Sequence, residues 1–393
     1  MNDLVFISLE NWDEIWRRNQ FICAELSRRY PHQKILFVGL PHDNSHSLRR
    51  GRVSKLRPTA PQSLPDFPNI FFFRPTKWWP NTLERGRKAN EFSFRQQVKS
   101  AAHKLGITRP LLWINAHSAH HLLGQMDESA TIYDITDDWI SAQQSNAARE
   151  LLVRQDADLC ARADATIVCS QRLFDMKTSL AKNLFLVPNG VDLQHYAGVA
   201  AGTTAVEVST CGWNHPVLGY VGTVHPERVD VALVEAVARA FPQGTVALVG
   251  PNLLGEAGSK PLATLKNVVL TGAVSYAKVP AFLSTFDVCL VPHLESEFTE
   301  SLNPIKLWEY LATGKPVVST NVAGFRDFSA LCHIASGAQD FVAACHAALS
   351  ENAAHQTASH QNAAQAARLD AAQNNSWKAR VDQIEAIIAP LGA

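Results

Sequence analysis

The sequence predicts an α/β protein built from two doubly wound parallel-sheet domains in tandem, and three observations lead there. Short apolar runs rich in β-branched residues alternate with helical patterns along nearly all of the 393 residues, which is the signature of βα units on a parallel sheet. The runs form two series, divided by a linker-like stretch at residues 197–205 made of Ala, Gly, Val and Thr. About thirteen runs are also more than one open sheet usually holds, roughly ten strands.

The first series places strands at residues 4–8, 34–40, 69–73, 111–115, 131–133, 165–169 and 184–187, with helices at 12–29, 88–105 and 147–161. Residues 42–68 are polar, contain proline and lack periodicity, so they read as a long loop, a kind of segment that tends to carry function. The second series places strands at 217–221, 245–249, 268–270, 288–291, 316–319 and 331–335, with helices at 229–240, 277–285, 305–312 and 340–349. The Ala/Gln-rich residues 355–391 are long enough for one or two helices. The expected division is therefore 1–198, 199–370, and a C-terminal helix over 371–393 packing back on the first domain. Ligands of such sheets bind beyond the carboxyl ends of the strands, so two facing sheets would form a cleft between them.

Composition narrows the class further. The 46% apolar and 18% charged residues suit a globular chain with a real core. Seven scattered cysteines without a C-x-x-C pair indicate neither a disulfide framework nor a zinc site, and point to a reducing, cytoplasmic setting. The start of the chain lacks the basic and apolar regions of a signal peptide, and no run approaches the roughly 18 apolar residues of a membrane span. Net charge is zero overall, but residues 1–109 hold 19 Lys+Arg against 9 Asp+Glu, so one end is basic. Within it, residues 74–99 interleave cations with Trp78, Trp79, Phe92 and Phe94, the mixture that favours an anionic lipid surface. No nucleic-acid module accompanies the charge, so no nucleic-acid partner is expected.

The segment richest in chemistry runs from Glu295 to Thr320. It reads as an acidic loop after a buried strand, then a helix, a Gly314 stop and another strand. Asn303 suits an N-cap and Pro304 the first helical position, so the positive helix end is available to a diphosphate. Lys306 lies in that first turn against the dipole and therefore needs an anion as its reason. Glu309, one turn on, suits a ribose diol.

The run from Asn303 to Ser319 resembles the donor-binding helix of GT-B glycosyltransferases of the group 1, family 4-like type, such as bacterial enzymes of exopolysaccharide, teichuronic-acid and lipopolysaccharide assembly. Three further stretches match in order: Leu186-Val-Pro-Asn-Gly-Val-Asp192; Gly219-Tyr-Val-Gly222-Thr223 with Arg228; and residues 267–274 with 286–293. The resemblance implies two Rossmann-like domains facing across a cleft, the second binding a nucleotide-diphosphate sugar, UDP-linked, and the first a saccharide or lipid-linked acceptor. It implies that Lys306 and Arg228 contact phosphate or donor sugar, that Glu309 meets the ribose, and that residues 271–276, including Gly272 and Val274, hold the base. Gly222, Thr223, Glu300, Ser301, Asn303 and Ile305 complete the implied donor set. Many retaining members carry two glutamates flanking seven residues; here Glu309 fills the second place, Ser301 the first, and Glu300 lies one position off. Both inversion and retention stay open. No Asp-x-Asp metal motif occurs, so neither a metal nor any other cofactor is expected. The alternatives on the same fold are a nucleotide-sugar epimerase and a non-catalytic binding protein.

The first domain is expected to supply the acceptor site and the base. Tyr133-Asp134-Ile-Thr-Asp137-Asp138-Trp139 carries a strand into a carboxylate-rich loop, and an inverting transfer needs a carboxylate to take the acceptor proton. Asp138 is the expected base, with Asp137 and Asp134 behind it; capping of a helix beginning at Trp139 is the structural alternative. Trp16, Arg17 and Arg18, after the first strand, are the expected acceptor-binding group. His117, His120 and His121 read as a solvent-facing or site-lining cluster.

Overall fold

The computed structural model describes residues 2–49, 60–81, 83–141, 145–296, 299–301, 303–356 and 363–392. Chain packing divides them into two compact units, Met1–Pro188 with Arg380–Ala393, and Asn189–Ala379.

The first unit contains β1 (Leu4–Ile7), α1 (Arg18–Arg29), β2 (Ile35–Val38), β3 (His42–Asp43), α2 (Asn44–Arg49), β4 (Gln62–Leu64), β5 (Phe67–Phe73), β6 (Thr76–Lys77) and α3 (Glu84–Lys104). It continues through β7 (Leu111–Ile114), β8 (Ala130–Ile135), α4 (Asn146–Arg162), β9 (Ala165–Val168), α5 (Gln171–Lys177) and β10 (Leu184–Leu186). The main sheet runs β10-β9-β8-β7-β1-β2-β5-β4, parallel except where β4 meets β5. The chain moves outward from β1 in one direction and then, from β7, in the other.

The central strands are buried on both faces, which explains their continuous apolar runs. On one face Phe6 stacks on Phe37 and Trp113 at 5.5 and 5.4 Å between ring centroids, because these three residues occupy the same register on β1, β2 and β7. On the other face Val5, Ile7, Leu36, Val38, Leu112 and Ile114 pack together.

The second unit contains α6 (Leu193–Ala200), β11 (Val217–Val221), α7 (Val231–Ala240), β12 (Thr245–Val249), α8 (Gly255–Ala263), β13 (Val268–Gly272), α9 (Val279–Thr285), β14 (Val288–Val291), α10 (Ile305–Ala312), β15 (Val317–Thr320), β16 (His333–Ala335), α11 (Gly337–Gln356) and α12 (Ala363–Gln373). Helix α13 (Trp377–Ile388) begins in this unit and continues into the first. The sheet order β13-β12-β11-β14-β15-β16 is the dinucleotide-fold order, with its switch point between β11 and β14.

Several expectations are corrected here. Helix α1 starts at Arg18 rather than residue 12, because Trp12 and Trp16 fold over the sheet face: Trp12 packs edge-on against Phe37, and Trp16 tilts against Phe21. Residues 42–68 are not one loop: β3, α2 and β4 lie in the described part, elements too short for a periodic signal. Trp139 opens a turn rather than a helix, and α4 is capped instead by Ser145, whose side chain accepts from Ala148 N. The change of unit falls at Pro188/Asn189 rather than near residue 198, because α6 buries Tyr196 and Val199 in the core of the second unit. Entering and leaving strands of chain are tied there, with Val191 N donating to Asn375 O and Trp377 N to Val191 O.

In the first unit, Arg18 Nε lies 3.2 and 3.1 Å from the two carboxylate oxygens of Asp134, and both side chains are almost fully buried. Removing one partner strands a buried charge. Arg18→Met is expected to cost about 3–5 kcal/mol in urea unfolding, and the double variant Arg18→Met/Asp134→Leu to recover a clear part of that loss.

Candidate functional site

Helix α10 forms because Leu307, Trp308, Leu311 and Ala312 bury one face. It ends at Thr313 before Gly314, whose φ of 72° is the left-handed conformation of a helix stop. The cap is Pro304, without a side-chain hydrogen bond, and not Asn303. The Asn303 side chain is engaged elsewhere: its Oδ1 accepts from Asn189 N at 2.9 Å, while the backbone carbonyl of Asn303 accepts from Asn189 Nδ2 at 2.6 Å.

Two side chains of α10 tie it to the end of β11. Tyr310 Oη accepts from Val221 N at 2.8 Å, and Lys306 Nζ donates to Val221 O. The ammonium also lies 4.8 Å above the Tyr220 ring, a cation–π placement. Gly222 follows with φ 146°, and a Cβ there would meet Lys306 Nζ; glycine is thus what lets the chain pass the lysine. Gly250, after β12, has φ 142° and would bring a Cβ against the Gly222 carbonyl.

The loop after β11 is stitched to the chain leaving β14. Leu294 N donates to Arg228 O and Asp230 N to Pro292 O, while Asp230 caps α7 by accepting from Leu233 N. Arg228 is thereby held close enough that its charge acts on Lys306 and His293. Burial, with Arg228 adding to it, lowers the Lys306 ammonium to about 8. Burial beside the same two cations lowers His293 to about 3, so its imidazole is neutral. Its Nε2 lies 3.4 Å from Tyr220 Oη.

Behind Lys306, burial raises the Glu309 carboxyl, against the pull of Lys306 and of a 2.9 Å hydrogen bond from Tyr196 Oη. The His195 ring, next in sequence, stacks on Tyr276 at 4.0 Å, beyond the end of β13. There Gly272 has φ 74° and Val274 rests on the core. The structure thus gathers Gly222, Thr223, Arg228, Lys306 and Glu309 around the ends of β11 and β14. Ile305 opens the helix. Glu300 is committed to a two-pronged pair with Arg326, at 2.6 and 3.1 Å. Ser301 closes the short turn Thr299–Ser301, and its side chain lies outside the described residues.

In the first unit Asn115, just after β7, joins the loop after β1, helix α1 and strand β8. Its Oδ1 accepts from Leu9 N and Asn19 Nδ2, and its Nδ2 donates to Asp134 O. Asp134 is the partner of Arg18. Asp138 caps the turn after β8, accepting from Ser141 N and Oγ. Asp137 accepts from Thr136 Oγ1 at 3.4 Å. Arg17 is braced by Glu10 at 3.3 Å and Asp13 at 3.2 Å. The carboxyl pushed up to about 7 is that of Glu10: burial raises it, Arg17 opposes, and Asp137 and Asp13 add to the rise. Sequence reading missed Glu10 and Tyr196, which stand in no motif, and gave no role to His293, which ends a matched stretch; each acquires its setting through partners brought to it by the fold.

The fold and this arrangement define a class. The whole chain superposes on solved two-domain glycosyltransferase structures, and its fold is GT-B. It is similar to the sucrose-phosphate synthase of Thermosynechococcus elongatus, with TM-score 0.70 and 18% identity over 100% of this chain and 99% of that one. It is also similar to Anabaena Alr3699/HepE in complex with UDP, with TM-score 0.67 and 14% identity over 99% and 100%. A trehalose-6-phosphate structure from E. coli bound with UDP-2-fluoro glucose gives TM-score 0.70 and 13% identity over 99% of each chain. Residues 215–351 match the family glycosyl transferases group 1. A curated relative, the putative teichuronic acid biosynthesis glycosyltransferase TuaH of Bacillus subtilis (strain 168), is 31% identical over 204 residues, 49% of this chain. The match spans half the length of that relative.

Lys306 costs the fold stability in proportion to its depressed pKa. A base whose folded pKa lies below its unfolded value destabilises fully below the folded pKa, and the cost fades as pH rises toward the unfolded one. Lys306→Met is expected to raise stability at pH 7 by about 1–3 kcal/mol, net of the lost hydrogen bond. The gain should shrink between pH 8 and 10.5 in urea titrations.

Proposed function

We propose that the protein is a glycosyltransferase that moves a sugar from a UDP-linked donor, held on the second unit, to a saccharide or lipid-linked acceptor held on the first. The observation that carries this reading is the desolvated ammonium of Lys306. Held at the start of α10 beside Arg228 and the Gly222 turn, it is a charge the fold bears at a cost, and a diphosphate supplies the missing anion. Glu309, kept in place by Tyr196, suits the ribose hydroxyls. Residues 271–276, with the Tyr276 ring fixed by stacking, border the base. The UDP and UDP-glucose complexes of the similar folds support UDP as the nucleotide, and the relative named for teichuronic acid biosynthesis supports a cell-surface polysaccharide as product.

In this scheme the leaving diphosphate is stabilised by Lys306, Arg228 and the α10 amides. Asp134 is engaged by Arg18 and Asp138 by its turn; in an inverting transfer the acceptor proton passes to Glu10, whose carboxyl is also paired with Arg17 but is set near neutral pH by burial, with Asp137 adding to the rise. The scheme uses no metal.

Residues 74–99 fit peripheral attachment to an anionic membrane. Trp79 is 58% and Leu83 65% exposed, beside exposed Trp78 and Phe92, and Arg95 lies 5.7 Å from the Phe92 ring. Among the described residues no helix is long and apolar enough to cross a membrane.

Three outcomes are expected. Lys306→Ala weakens UDP binding in calorimetry by about tenfold or more, the worth of one charge-assisted hydrogen bond. Wild-type kcat/KM falls as pH drops through about 7, where Glu10 becomes protonated, and Glu10→Gln loses roughly 10²-fold or more together with that limb. Trp78→Ala/Trp79→Ala and high salt each reduce co-sedimentation with phosphatidylglycerol vesicles.

A further inference from the structure

The first unit has its own switch point between β1 and β7, and a cavity of about 300 Å³ lies there, at the small end of the range typical of ligand pockets. Ser8 from the loop after β1, Gly39 after β2 and His117 after β7 line it, with α3 and α4 closing its sides. The donor-side residues and the carboxylate loop after β8 lie outside it, whereas His117, His121 and Phe94, singled out in the sequence, line it.

Its chemistry is specific. Gln155, on α4, is only 5% exposed and lines the cavity; among the described residues its amide has no hydrogen-bond partner. Its polar atoms are left open to the cavity, where a ligand can hydrogen-bond them. The charged groups at the wall are already neutralised, Arg87 by Glu91 at 2.8 Å and Lys77 by Asp43 at 3.2 Å. Asn90 is spent on structure, accepting from Trp78 N and Trp79 N and donating to Trp79 O and Asn81 Oδ1. Burial holds His117 below its ordinary value and His121 at about 4, the latter with help from neighbouring His120 and Arg95. Both imidazoles are therefore neutral. The remaining wall mixes apolar residues with Ser8, Thr76, Asn81 and Ser118, and Phe94 is fixed edge-on against His121 at 5.7 Å.

We infer that this cavity binds an uncharged sugar ring of the acceptor, its hydroxyl or amide substituents read by Gln155 and His117 and its apolar face lying on the Phe94 side. This rests on the glycosyltransferase reading and adds to it the acceptor class. A buried amide gives one acceptor and two donors, which match neutral substituents. Among the described residues an anionic ring would find no unpaired cation on the wall and would bear the full desolvation cost.

The test is ligand-observed NMR on the full chain with UDP present, using methyl glucopyranoside, methyl N-acetylglucosaminide and methyl glucuronide as probes. At least one neutral glycoside should bind, the glucuronide at least tenfold more weakly, and Gln155→Met should lose tenfold or more in neutral-glycoside affinity while UDP binding persists. Retained UDP binding shows that the variant is folded. Equal or tighter glucuronide binding, no binding by either neutral glycoside, or an unchanged Gln155→Met overturns the inference. Failure of the wild-type chain to bind UDP overturns instead the reading on which it rests.

Discussion

The reversal of strand order at the centre of each sheet is the constraint on which the rest depends. Where neighbouring parallel strands send the chain outward in opposite directions, their exit loops diverge and leave a crevice. In the second unit that crevice lies between β11 and β14, and the chain lines it with Gly222, Arg228, His293 and the start of α10. In the first it lies between β1 and β7, and the chain fills it with a cavity around Gln155 and His117. The same topology thus sets two cations beside the crevice in one unit and a neutral cavity in the other. The difference comes from what is paired: in the first unit the wall cations already have carboxylates, while in the second two cations are set near one another.

That proximity explains the electrostatics of the second unit. Lys306 is drawn toward the Val221 carbonyl and the Tyr220 ring, neither of which carries a full negative charge to offset the burial and the Arg228 repulsion that lower its basicity. Glu309 partly offsets it, but Glu309 is itself buried and bound by Tyr196. Sites that hold charge at a cost to the fold are where ligands bind most profitably.

Much of this was legible in the sequence. The β-branched runs gave every strand of the second sheet to within two residues, because fully buried parallel strands are written as continuous apolar segments. The elements β3, β4 and α2 were not legible, being too short for a period to show. The helix start at Arg18 was obscured because Trp12 and Trp16 sit at helical spacing while packing as a loop over Phe37 and Phe67. On the donor side, Lys306 and Glu309 stood out because a lysine in the first turn of a helix opposes the dipole. Tyr196, Glu10 and Gln155 had no such mark: the environment of each is made by residues far away in sequence, and only the folded chain brings these together.

The most direct test of the central claim is the proton balance of UDP binding, measured calorimetrically in buffers of different ionisation enthalpy at pH 7 and pH 9. Above its folded-state pKa of about 8, Lys306 is neutral until a diphosphate arrives, so binding must draw a proton onto it. The account predicts uptake approaching one proton at pH 9, little at pH 7, and none at pH 9 in Lys306→Met. UDP binding at pH 9 without proton uptake, or uptake that persists in the variant, would contradict it.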